Sequence, residues 1–272
     1  MKLPRLKTIL LTPIILFALF YLLGVVLIWQ DDRTVSPLTE VPSDAKTIAI
    51  FGASGTAGDG IFKAALASPD IKKIHIITRR VTDRMNDGVK SGKVQLTKHM
   101  NYLSYEDIIG QFDKVDEVYW AIGISSLGMD EKTYGMIHVD FPMQFVKAWS
   151  EVSQQSKISF HYISSSDISD ESTAMWAREK IRAEKSLFSF AKGTKMRVIA
   201  YRPDYIGPTA VESHLGQEAL YWFFAPVGAA VRAEQIGQAM IEVSARWSEF
   251  DNGDKLSTGK IIRYSDAYEK RQ

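Results

Sequence analysis

Three glycines spaced as Gly52, Gly55 and Gly58, in the run Gly52-Ala53-Ser54-Gly55-Thr56-Ala57-Gly58, can grip an anion with backbone alone. One glycine permits a tight turn, another lets peptide N–H groups approach a pyrophosphate, and a third lets a helix pack against the preceding strand. The positive end of that helix then favours the negative charge. A glycine triplet by itself is weak, because turns collect glycine for steric reasons. Here the flanks decide. Lys46 to Phe51 (KTIAIF) reads as a strand buried on both faces, and Ile61, Ala64, Ala65 and Leu66 recur at helical spacing. Strand, glycine turn and helix together predict a dinucleotide site.

A second strand, Lys73 to Ile77 (KIHII), ends in Thr78-Arg79-Arg80 with no acid at its end. An acidic residue there would accept hydrogen bonds from the ribose hydroxyls of NAD, whereas arginine accommodates the 2′-phosphate of NADP. Guanidinium suits phosphate through planar, charge-assisted bonding, so Arg79 and Arg80 favour NADP over NAD. The plainer alternative is a solvated basic turn. Ala121 and Gly123, at the end of the next strand, complete the expected cofactor set.

Positioning these residues requires an alternation of buried strands and covering helices. Val115 to Ile124, Ser159 to Ser164 and Arg197 to Tyr201 read as further buried strands, with helical periodicity at Phe141 to Ser153 and Ala177 to Phe190. That alternation predicts an α/β fold, a Rossmann-type doubly wound parallel sheet. Residues 46–272 form one such domain, with a small substrate-side portion late in the chain. Ahead of it, residues 1–30 contain an uncharged apolar stretch from Thr8 to Trp29, matching the ~20 residues that cross ~30 Å of hydrocarbon. Its length exceeds the apolar core of a cleaved signal, and no small-residue cleavage site follows, so an uncleaved transmembrane anchor is expected. Pro13 sits near one end and Trp29 at the far boundary. Residues 31–45, with Ser36, Pro37, Pro42 and Ser43, read as a polar linker.

Lys2, Arg5 and Lys7 precede the apolar run and Asp31, Asp32 and Arg33 follow it, which biases the N-terminus to the cytoplasmic side. A cytosolic nicotinamide cofactor pulls the other way, so the side of the domain stays open. With 33 Lys plus Arg against 32 Asp plus Glu, the net charge of +1 gives no reason to expect nucleic acid. The absence of cysteine removes thiolate nucleophiles and disulfides, and the five histidines (His75, His99, His138, His161, His214) have no metal-ligand spacing. No metal is expected.

The ordered set of GASGTAG, Thr78-Arg79-Arg80, Val139-Asp140, Ile163-Ser164-Ser165, Tyr201-Arg202-Pro203, Gly207-Pro208 and Arg232 to Met240 resembles the atypical and extended short-chain dehydrogenase/reductases. The nearest resemblance is to the Tat-interacting-protein-like branch, over roughly Lys46 to Tyr264. It implies an active site of Ser, Tyr and Lys, with Tyr four residues before Lys on one helix. Tyr would give a proton to a carbonyl oxygen, Lys would lower the Tyr pKa and hold the nicotinamide ribose, and Ser would orient the substrate. Ser165 and Lys180 take two of these places, but the residue four before Lys180 is Trp176, whose indole N–H is no acid at ordinary pH.

Tyr134 and Tyr205 are candidate substitutes, each more simply read as packing. From Thr209 to Val231 the chain carries His214 and the aromatic run Ala219 to Phe224, which fits either a site for a hydrophobic substrate or, as periodicity favours, an amphipathic core helix. Two functions follow: a membrane-tethered NADP-dependent oxidoreductase acting on a small or hydrophobic carbonyl or alcohol, or a catalytically silent NADP-binding redox sensor or scaffold.

Overall fold

The structure, a computed structural model, describes residues 6–31, 33–39, 44–209 and 215–272. Lys2, Arg5, Asp32, Pro42, Ser43 and His214 therefore lie outside the described residues, as does the side chain of Lys7. Nine strands occur among the described residues: β1 (Lys46–Phe51), β2 (Ile71–Thr78), β3 (Val94–Lys98), β4 (Glu117–Trp120), β5 (Ile158–Ile163), β6 (Met196–Arg202), β7 (Tyr205–Gly207), β8 (Ala230–Arg232) and β9 (Lys255–Ser257). Seven form one parallel sheet in the order β3-β2-β1-β4-β5-β6-β9, while β7 and β8 pair as a separate parallel ribbon. The helices are α1 (Leu6–Trp29), α2 (Thr56–Ala67), α3 (Asp83–Lys90), α4 (Glu131–Gly135), α5 (Phe141–Val152), α6 (Met175–Ala191), α7 (Leu215–Phe224), α8 (Ala233–Ala245) and α9 (Thr258–Arg271).

The central strands are apolar on both faces because helices cover both. Ile48, Ile50, Ile74 and Ile76 face α2 and α8, joined by Ile61, Ile236 and Met240. Phe51, Trp120 and Phe160 face the opposite layer, where α5 contributes Phe145 and Trp149. Phe51 lies 4.6 Å from both Trp120 and Phe145, centroid to centroid. Full burial of such side chains contributes about 1.5–3 kcal/mol each by area alone, so this aromatic layer anchors β1 and β4 side by side.

Several expectations need correction. The strand expected from Val115 to Ile124 is β4 and stops at Trp120, because Ala121 makes a last bond to the Phe51 carbonyl and the chain then leaves the sheet. Strands β3 and β9 lack the long apolar runs that mark the central strands, so an edge position left little pattern to read. Pro13 falls inside α1, not at its end. The core-helix reading of the late aromatic run is overturned, since no residue of α7 is buried.

α1 contains a 19-residue span, Leu11–Trp29, of mean hydropathy 2.7, long and apolar enough to cross a membrane, with none of it buried. The expected linker does not hang free where it is described. Arg246 donates to the Ser36 carbonyl at 2.5 Å, and Asp31 is paired with both Arg33 and Arg263.

The two helices on one face touch almost backbone to backbone. A Cβ placed on Gly60 of α2 would stand 2.4 Å from Ala233 Cβ and 2.5 Å from its backbone carbon. Gly60→Val is therefore expected to force α2 from α8 and destabilise the protein by about 1–3 kcal/mol, the usual cost of overpacking. A urea denaturation midpoint unchanged from the parent would contradict this packing.

Candidate functional site

All seven strands of the main sheet are parallel, so their C-terminal ends share one edge, and strand order reverses between β1 and β4. In such sheets the chains leave a reversal point in opposite directions and open a crevice between them. Two adjoining recesses of about 450 and 420 Å3 fill that crevice here, sharing Gly55, Ala121, Ile122, Gly123 and Ile124 in their walls.

The floor between them is the glycine turn. Gly52 has φ +83°, and a Cβ on it would lie 2.6 Å from the Ala121 carbonyl carbon, so only glycine lets β1 turn under the β4 exit. A Cβ on Gly58 would lie 2.0 Å from the Gly52 carbonyl oxygen, which seats the first turn of α2 directly on the strand end. The N-cap, Gly55, has no side chain and so leaves the positive end of this 12-residue helix without a side-chain cap. Thr56 and Ala57 line the crevice, whereas the Ala53 side chain is fully buried and leaves only its peptide group for a ligand.

Arg79 and Arg80 stand at the β2 end of the first recess together with Ser54 and Tyr102. The Arg80 guanidinium donates to the Ser54 carbonyl at 3.1 Å, leaning over the glycine turn, and Arg79 sits 5.9 Å from the Tyr102 ring centre. Thr78 holds this bend, its hydroxyl donating to the Arg80 carbonyl and accepting from the Arg80 amide. These are charges on a turn, yet a turn folded toward the crevice.

The second recess gathers Ser164, Ser165, Trp176, Lys180, Tyr134 and His138. Helix α6 presents Trp176 and Lys180 from one face, one turn apart, and the serines follow the end of β5. Lys180 is buried; its ammonium donates to the Ile163 carbonyl at 3.0 Å and lies 5.1 Å from the Tyr162 ring centre. The nearby carboxylate, Glu184, is held by Arg202 at 2.5 Å. Burial without a carboxylate of its own pulls the Lys180 pKa down to about 7, despite the opposing field of Glu184.

His138 lies on a turn of π-helix, Met136–Asp140, between α4 and α5. Its Nε2 accepts from the Ile124 amide at 3.4 Å, while the buried Nδ1 has no partner among the described residues. Burial, then Lys180, lowers its pKa to about 3, so the ring is neutral at ordinary pH. Tyr134 packs 4.1 Å from that ring, and burial, then Glu179, raises its pKa to about 12. Its hydroxyl stays protonated. Tyr205 is turned under α7, bonding the Gln217 carbonyl at 3.3 Å, which leaves Tyr134 as the candidate of the two that borders the recess.

Tyr102 and His138 escaped the sequence reading. Tyr102 sits in an irregular stretch after an edge strand, and His138 turns inward through a local widening of the helix that residue types do not announce. Among the described residues no group of three or more His, Asp or Glu is gathered as a metal site.

A lysine whose folded pKa is depressed makes stability rise with pH between the folded value and the unfolded one near 10.5, and leaves it flat below about 7. Lys180→Met abolishes that slope. The melting temperature of the variant relative to the parent is expected to be highest at or below pH 7 and to fall steadily toward pH 10; a difference independent of pH would contradict the buried ammonium.

No family model and no curated relative matches the chain by sequence. Solved structures do match it in fold. A NADPH-dependent 3-quinuclidinone reductase from Rhodotorula rubra is 15% identical with a TM-score of 0.59, over 85% of this chain and 98% of that one. A short-chain type dehydrogenase/reductase from Mycobacterium marinum is 14% identical with a TM-score of 0.59, over 79% and 96%. A protein named BdcA, in complex with NADPH, is 13% identical with a TM-score of 0.61, over 79% and 93%. At these identities the likeness is one of architecture, and the chain has the fold of the short-chain dehydrogenase/reductases.

Proposed function

We propose that the protein is a membrane-tethered, NADP-dependent oxidoreductase of the short-chain dehydrogenase/reductase type, acting on a small or hydrophobic carbonyl or alcohol. One observation carries the reading: the glycine turn, the Arg79–Arg80 bend and the Lys180 recess all open into one crevice at the sheet reversal. The residues present fit a dinucleotide. The uncapped α2 N-terminus and the glycines that a Cβ would block suit a diphosphate, and two guanidinium groups at the β2 end suit a 2′-phosphate. The NADPH bound in BdcA and the NADPH dependence of the 3-quinuclidinone reductase, both of this fold, support the same cofactor. The motif resemblance to the Tat-interacting-protein-like branch supports an atypical active site within that fold class.

Bound NADPH would supply a hydride. The chain must supply the matching proton, and Trp176 cannot. Lys180 takes that role, since an ammonium with a pKa near 7 gives up a proton at neutral pH. The neutral Tyr134 hydroxyl and Ser165 orient the substrate oxygen from the recess wall. Trp176 supports a second reading, in which the protein binds NADP without turnover and acts as a redox sensor or scaffold. α1, apolar and unburied, tethers the domain to the membrane in either case.

Replacing both Arg79 and Arg80 by alanine is expected to weaken NADPH relative to NADH by about 1.5–3 kcal/mol, roughly 10- to 150-fold, as for hydrogen bonds to a charged group. Equal loss of the two in a calorimetric titration of the full chain in detergent would remove the 2′-phosphate role.

Carbonyl reduction is expected to fall in kcat/KM as pH rises through about 7, where the Lys180 ammonium is lost. Lys180→Arg should abolish the reduction, because a guanidinium does not give up its proton, and Trp176→Tyr should raise kcat. If NADPH binds but no carbonyl in a broad panel is reduced by parent or Trp176→Tyr, the sensor reading takes its place.

A further inference from the structure

α7 is built inside out for a helix on a water-facing surface. Its domain side carries Gln217, Glu218 and Tyr221: Glu218 pairs with Arg232 at 2.6 Å, and Tyr221 lies under the same guanidinium at 3.5 Å. Its outer side carries Leu215, Leu220, Trp222 and Phe223, all exposed, Trp222 at 67%, and no charge. Water would drive the opposite arrangement, apolar side inward and charge outward. An uncovered apolar face of this kind marks a surface that meets something other than water.

What it meets is indicated by α1. Phe17 stacks on Phe223 at 6.3 Å with the rings 6° from parallel, and the Tyr21 hydroxyl donates to the Phe223 carbonyl at 2.8 Å. Further along, Gly24 packs on Val227 and Ile28 on Gly228, immediately after α7. Phe17, Tyr21, Gly24 and Ile28 are spaced 4, 3 and 4 apart and form one stripe of α1. At 1.5 Å per residue the stripe is about 16 Å long, more than half of a ~30 Å hydrocarbon layer. Whatever surrounds this part of α1 therefore also surrounds α7.

We propose that α7 is a second membrane-embedded element, its Leu220, Trp222 and Phe223 face lying in the lipid beside α1. The inference rests on the reading of α1 as a membrane helix and goes beyond it, because a tether alone leaves the domain in water. Since α7 packs on β7, whose Ile206 lines the Lys180 recess, an immersed α7 brings that recess close to compounds dissolved in the bilayer.

The chain has no cysteine, so single cysteines at chosen positions can carry a nitroxide label without background. Full-length Leu19→Cys on α1, Leu220→Cys and Trp222→Cys on α7, and Val89→Cys on α3 are labelled in phosphatidylcholine vesicles. Relaxation by oxygen is then compared with relaxation by a polar nickel chelate. Positions 19, 220 and 222 are expected to exceed position 89 in the oxygen-to-nickel ratio by about tenfold, since hydrocarbon excludes the polar chelate. A lipid-like value at 19 with water-like values at 220 and 222 overturns the proposal and leaves the tether intact. Shielding of 220 and 222 from both reagents also overturns it, and points to a second copy covering α7. Water-like values at 19 remove the tether itself, and the proposal with it.

Discussion

The site depends on how closely two backbones approach where the sheet reverses. β1 must end, turn under the β4 exit and release α2 within a few residues, and the space above Gly52 is already occupied by the Ala121 peptide. Any side chain there would push β1 and β4 apart or tilt α2 off the strand. The aromatic layer around Phe51, Trp120 and Phe145 holds the two strands in register from the opposite face. The proposed anion site thus rests on close packing several ångströms below it, which leaves no room for a side chain at Gly52 or Gly58.

Under the proposed function, the second recess carries Trp176 where a tyrosine would be expected beside Lys180. A tyrosine beside a lysine can share proton traffic with it; an indole cannot. What remains is a buried ammonium holding one backbone carbonyl, while Glu184 is engaged by Arg202. Desolvation alone then brings the lysine into the pH range where a proton can leave. His138 and Tyr134, buried against each other, stay neutral, so the recess contains one group that titrates near neutrality and several that only donate or accept hydrogen bonds.

α1 and α7 interact with the same logic reversed. Polar groups of α7 turn toward Arg232 and the domain, and the apolar surface turns outward to continue that of α1. The Tyr21 hydroxyl, which would be costly to leave unpaired in an apolar setting, finds the Phe223 carbonyl. The bonds from Arg246 to Ser36 and from Arg263 to Asp31 extend this attachment along the connecting segment, so helix and domain meet at several points along their length.

The central strands, the glycine turn, α2, α5, α6 and the apolar N-terminal helix are legible in the residues, because each is written in a local pattern: a buried run, a fixed spacing, a helical period. The basic residues at the β2 end and Trp176 one turn before Lys180 are legible for the same reason. Edge strands β3 and β9 are not, since a strand paired on one side needs no long apolar run. Nor could periodicity tell which way α7 faces, because a helix with one apolar side looks the same whether that side meets a core or a lipid. The neutral His138, the bordering Tyr134 and the depressed Lys180 were decided only by tertiary structure, since burial and the distance to the next charge depend on segments far apart in the chain.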